Sequence, residues 1–87
     1  MLKFKFYTDP GHGWLAVKLD LVREYTKPGE VSGYSYLKGK TVYLEEDMDA
    51  HLFLSRLTDA GVPYELVFKS TDKPSPIRTY ARFTDVA

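Results

Sequence analysis

Short runs of period-two alternation, each broken by turn chemistry, constrain this chain more than any other feature. Leu2, Phe4 and Phe6 alternate with Lys3, Lys5 and Tyr7. Successive side chains of an extended strand point to opposite faces, so this spacing buries one face and wets the other. Asp9-Pro10-Gly11-His12-Gly13 then breaks the run with concentrated turn residues. Residues 14–19 read as a second strand, with Leu15, Val17 and Leu19 on one face and Trp14, Ala16 and Lys18 on the other. Residues 33–37 form a short strand with Tyr34 and Tyr36 on one face. Lys38-Gly39 is a tight turn, and residues 41–45 return with Val42 and Leu44 inward, completing a hairpin. Tyr64, Leu66 and Phe68 alternate with Glu65, Val67 and Lys69. Beyond a polar loop at 70–76, residues 77–83 alternate once more, with Ile77 and Phe83 inward and Arg78, Tyr80 and Arg82 outward.

Two segments follow a helical period instead. Ala50, Phe53, Leu54 and Leu57 recur at i, i+3, i+4, i+7 and make one apolar stripe. Asp47 or Asp49 caps this helix, and Gly61 stops it just before Pro63. A shorter helix carries Leu21, Val22 and Tyr25, with Asp20 as its cap and Pro28-Gly29 ending it. The order is β-β-α-β-β-α-β-β. The expected fold is α+β, a mostly antiparallel sheet with the 50–60 helix packed on one face. Residues 1–87 suffice for a single domain and are too few for two.

Composition narrows function mainly by exclusion. The chain has no cysteine, so disulfides, thiolate metal sites and thiol nucleophiles are excluded. Twelve basic and twelve acidic residues balance, which argues against bulk attraction to nucleic acid or anionic membrane but not against a local basic patch. Residues 1–5 alternate charge with apolar side chains and build no signal-peptide core, and no apolar run approaches a membrane span. No nucleophile–base pair, metal-ligand set or phosphate loop stands at diagnostic spacing. The expectation is therefore a non-enzymatic protein without metal or cofactor and without a membrane role. Oligomeric state is not readable.

Four constellations carry chemical possibilities. Glycines around His12 expose backbone amides that can form an anion-binding nest, with the imidazole as acid, base or ligand. The competing reading is structural: Asp9 bonds its own turn, Gly11 and Gly13 supply positive φ, and Trp14 anchors the whole. Glu45, Glu46, Asp47 and Asp49 with His51 place four carboxylates and an imidazole within seven residues. Their spacing matches no cation loop, and acids at a helix start offset the macrodipole and cap free amides. They also form an acidic patch able to compete with phosphate for a basic protein. Tyr34, Tyr36 and Tyr43 either project from the hairpin as binding anchors or pack beneath Trp14. Arg78, Tyr80 and Arg82 either bind bases and phosphate on an open face or protect a charged sheet edge.

The run Asp9-Pro10-Gly11-His12-Gly13-Trp14-Leu15-x-Val17, with Ser35-Tyr36, Gly39, Val42-Tyr43-Leu44-Glu45-Glu46-Asp47 and Asp49-Ala50, resembles a family of short phage, prophage and plasmid proteins. The resemblance spans residues 4–82. The family has no established activity. It implies a small accessory protein acting in the bacterial cytoplasm by binding a host or phage protein, including as an inhibitor of a host defence complex. The tyrosine-rich hairpin and the acidic helix start are the expected contact surface. The alternative is a small nucleic-acid-binding module using Arg78, Tyr80 and Arg82.

Overall fold

The computed structural model describes residues 1–84. Six strands form one sheet: β1 (Leu2–Thr8), β2 (Gly13–Lys18), β3 (Tyr36–Lys38), β4 (Thr41–Glu45), β5 (Tyr64–Ser70) and β6 (Ala81–Arg82), in the spatial order β5-β1-β2-β4-β3-β6. All neighbouring pairs are antiparallel except β1 with β5. The parallel pair follows from the connection through α2 (Asp49–Asp59), which carries the chain from β4 back to the same end of the sheet. With α1 (Leu19–Tyr25), the architecture is the expected α+β fold.

The alternation sorts side chains as expected. Phe4, Phe6, Leu15, Val17, Val42 and Leu44 point to one face, where Val22 of α1 and Ala50, Phe53 and Leu57 of α2 cover them. Phe53 stands edge-on to Phe4, with centroids 5.6 Å apart, and Tyr25 packs edge-on to Phe53 at 6.2 Å. Glycines serve the turns where handedness demands them. Gly39 (φ +62°) is the first residue of the two-residue loop between paired Lys38 and Thr41, the type II′ pattern. Gly61 (φ +71°) closes α2.

Several boundaries differ from the sequence reading. Leu19 opens α1 instead of ending β2, so Asp20 lies in the first turn and Lys18 precedes the helix without a side-chain cap. The helix ends at Tyr25, ahead of Pro28-Gly29, where Thr26 returns both its N–H and its hydroxyl to the Val22 carbonyl. Tyr34 sits in a turn, and β3 begins only at Tyr36.

The largest difference lies beyond β5. Residues 77–83 are not one strand: Pro76–Thr79 form a 3-10 helix, and β6 is two residues long. Ser75 accepts the Ile77 N–H while Pro76 has none to satisfy, so the sequence starts a helical turn there. Ile77 and Phe83 are nonetheless buried, as the alternation anticipates. Because β5 and β6 occupy opposite edges of the sheet, residues 71–80 cross it, on the face away from the helices. This strap runs over the second face, where Tyr7, Trp14, Tyr36 and Tyr43 stand.

Candidate binding site on the strap face

The strap is held by Asp9. Its Oδ1 accepts from the Gly11 and His12 amides at 3.0 and 2.9 Å, and its Oδ2 from the Ser75 amide at 2.9 Å. Arg78 grips both oxygens, through Nε at 2.6 Å and Nη2 at 2.8 Å. The structural reading of the glycine-rich turn therefore holds for Asp9, which bonds its own turn: the Gly11 and His12 amides that could have met an anion are taken by the chain's own carboxylate. The Arg78 ion pair holds the Asp9 carboxyl far below the usual carboxylate range. Burial opposes this, and the Ser75, His12 and Gly11 amides reinforce it.

The glycines of this turn serve by being small. Gly13 does not take the positive φ expected of it, and neither does Gly11. A Cβ on Gly13 would lie 2.7 Å from the Phe6 ring and 3.2 Å from the Glu46 carboxyl. One on Gly11 would lie 2.9 Å from Arg78 Nη2. Close approach of backbone to ring and guanidinium is what excludes a side chain.

A second buried carboxylate organises the acidic helix start. Neither Asp47 nor Asp49 caps α2; Met48 occupies that position without a side-chain bond. Glu45 does the capping from β4, its carboxylate accepting from the amides of Asp47, Met48 and Asp49 at 3.0, 2.5 and 3.3 Å. Asp49 is buried as the first helical residue, and its Oδ2 accepts from the Ser32 amide and from the hydroxyls of Ser32 and Ser35. Ser35 also accepts from the Glu45 amide through its hydroxyl and from the Phe83 amide through its carbonyl. Turn, hairpin, helix and C-terminal segment thus meet at Ser35.

Between these two anchors lies a depression of about 410 Å³. Trp14 and Tyr36 pack edge to face at 6.3 Å along it. Arg78 stacks 5.4 Å over Trp14 and Arg82 stacks 5.5 Å over Tyr36, with Arg82 Nη1 also donating to the Gly33 carbonyl at 3.0 Å. His12 lies 6.1 Å from Trp14 at one side. Glu45 and Asp47 supply negative charge, and Tyr34 and Met48, 70% and 65% exposed, contribute apolar surface open to solvent.

Parts of all four constellations that sequence read separately line one depression: His12 with Trp14, Tyr34 with Tyr36, Glu45 with Asp47, and Arg78 with Arg82. The Arg78–Tyr80–Arg82 array is split, with only its arginines in the depression. Arg78 is paired with Asp9, and Tyr80 turns away from the depression to pack on Tyr43 at 5.2 Å beneath Lys38. Tyr43 and Tyr80 line a smaller depression of about 280 Å³ across the strap, with Tyr7 and Ile77. Burial, then the neighbouring Tyr80 and Tyr7, raises the Tyr43 hydroxyl pKa. Glu46 is exposed beside Gly13, and Asp49 is sealed in the interior. His51 is exposed on α2, and among the described residues no three His, Asp or Glu side chains come together as a metal-holding group.

Sequence reasoning missed Met48, the Asp9–Arg78 clamp and the serine cradle of Asp49. Only Met48 carried a local signal, an apolar residue inside an acidic run. Comparisons with protein-family models, curated proteins and solved structures returned no match. Among the described residues, no helix is long and apolar enough to cross a membrane.

Proposed function

We propose that this protein is a binding module whose strap-face depression captures a protein partner, acting as a small accessory protein of a mobile element on a host or phage protein. The observation that carries this reading is the combination of Tyr34 and Met48, large apolar side chains exposed together, with Tyr36 in the same depression backed by the buried Trp14 ring. Exposed apolar surface around an aromatic centre with a polar margin is the anatomy of a binding hot spot. Arg78 is neutralised by Asp9, while Asp47 makes no side-chain bond among the described residues, so the open charge on the acidic side is negative. A partner loop presenting an aliphatic stem with a cationic end matches that pocket: the stem lies against the exposed Tyr34 and Met48 and the cation meets Asp47. His12, Gly13, Trp14, Tyr36, Glu45 and Asp47 are also among the residues on which the phage-family resemblance rests. Inhibition of a host defence complex is the proposed consequence. The test is affinity capture from a nuclease-treated bacterial lysate with the wild type, Tyr34→Ser with Met48→Ser, and Thr58→Ala on the exposed side of α2. A partner retained by the wild type and Thr58→Ala but lost by the double variant supports the reading. Equal retention by all three refutes it.

A second reading has its own observation. Lys3, Lys5, Lys18 and Lys38 are exposed on the strap face near Tyr43 and Tyr80, and the ion pairs among the described residues are Arg56–Glu30 and Arg78–Asp9. On this reading nucleic-acid binding belongs to these lysines and not to Arg78, Tyr80 and Arg82 acting together. Binding to single-stranded DNA that falls steeply with salt and is lost in Lys5→Glu with Lys18→Glu would establish it. No binding at low salt would eliminate it.

A further inference from the structure

We propose that β5 is a self-complementary edge through which two copies of this protein join into one continuous antiparallel sheet. Among the described residues β5 ends the sheet, is seven residues long and pairs on one side only. Edges of this length are usually blunted or covered. This one leaves Phe68 65% and Val67 38% exposed.

The hydrogen-bond parity of the free edge follows from one contact. The Thr71 amide donates to the Thr8 carbonyl at 3.0 Å, and Thr8 lies opposite Ser70. In a parallel ladder this directs the backbone groups of Glu65, Val67 and Lys69 toward β1. Those of Tyr64, Leu66, Phe68 and Ser70 therefore face outward. Two-fold antiparallel pairing must set outward residues opposite outward residues, so near the strand centre its axis passes Leu66, Val67 or Phe68.

Side-chain chemistry chooses among the three. An axis at Leu66 sets Glu65 against Val67 and Lys69 against Pro63. An axis at Phe68 sets Lys69 against Val67 and Glu65 against Thr71. An axis at Val67 sets Glu65 opposite Lys69 of the second copy, twice by symmetry, with Val67 on Val67 between them. These are the non-hydrogen-bonded positions, where cross-strand Cα atoms approach to about 4.5 Å and side chains interact most closely. On the other face the same register lays Leu66 of each copy on the exposed Phe68 of the other. The backbone groups permit this register, and the charges and apolar side chains select it.

The axis stands perpendicular to the sheet, so both strap faces look the same way. The depressions beside β2, β3 and β4 stay open toward the two ends of the joined sheet, which makes the dimer bivalent for a partner with two matching sites. The inference does not depend on what the depression binds.

Sedimentation equilibrium from micromolar to millimolar protein tests it, with circular dichroism and melting to confirm that each variant folds. Glu65, Val67 and Lys69 are exposed, so their replacement leaves the monomer intact. The wild type is expected to dimerise with rising concentration, and Val67→Lys, which opposes two ammonium groups on the axis, to stay monomeric. Glu65→Lys and Lys69→Glu alone should each weaken association on the order of tenfold, since two attractive pairs become repulsive. Combining them restores opposite charges in the same register and should restore the dimer. A wild type that remains monomeric throughout overturns the proposal. So do single charge variants that associate like the wild type, or a double variant that fails to recover.

Discussion

The two faces of the sheet are built from different chemistry. The helix face is packed with aliphatic and phenylalanine side chains that α1 and α2 cover at its centre, leaving Phe68 exposed at the β5 edge: Leu15, Val42, Leu44, Phe53 and Leu57 are all fully buried. The strap face is covered by irregular chain, and rings stacked with cations and one buried carboxylate hold it together. Apolar burial is non-directional and tolerates local adjustment. The Asp9 clamp is directional and takes its partners from segments far apart in sequence. The helix face therefore holds most of the buried apolar core, while the strap face, open at the depression, is the one proposed for recognition.

The sharpest way to break this division is to attack the helix face. Leu57→Asp places an unpaired charge in the core and should unfold the domain, abolishing both faces together in circular dichroism. Leu57→Ala should cost about 2–5 kcal/mol in chemical denaturation, because the cavity adds to the lost burial.

Asp9→Asn attacks the strap face and should give the next largest fall in melting temperature, with a pH signature that Leu57→Ala lacks. The folded-state pKa of Asp9 is depressed, so its contribution is present above the unfolded carboxylate value and is lost as pH falls toward the folded one. The gap between wild type and Asp9→Asn should accordingly be full at neutral pH and narrow below about pH 4. Glu30 behaves alike for a different reason: Arg56, bonded at 2.6 Å, with the Lys27 amide, holds it down at about 2 from 4.5. Its contribution is lost between those two values as pH falls. A wild-type melting temperature that is flat between pH 7 and pH 2 would contradict both assignments.

Gly13→Val should cost roughly 1–3 kcal/mol by overpacking against the Phe6 ring. His12→Ala, exposed in the same turn, should melt like the wild type. A His12→Ala protein as damaged as Gly13→Val would mean that the imbalance between turn backbone and turn side chain has been misjudged.

The same contrast explains what was legible in the sequence. Period-two and period-3.6 patterns report which side chains are buried, so the helix face could be read residue by residue, down to Ala50, Phe53 and Leu57. Inward Ile77 and Phe83 were legible for the same reason, although the backbone between them is not a strand. Pro76 after Ser75 was the local signal for that helical turn, and the alternation hid it. Pairings across the chain leave no period. Asp9 with Arg78, and Asp49 with Ser32 and Ser35, depend on a sheet order and a crossing strap that no local pattern encodes. The candidate residues around His12, Tyr36 and Asp47 were recognisable singly by type. Their convergence on one depression was not.

The most direct test is an NMR titration of the labelled protein with its captured partner, following backbone amides and the Trp14 indole. Shifts or broadening are expected at residues 12–14, 34–36, 45–48, 78 and 82 and at the indole, with His51 and Thr58 on the exposed side of α2 unmoved. Perturbations concentrated on α2 with a silent Trp14 would contradict the assignment of recognition to the strap face.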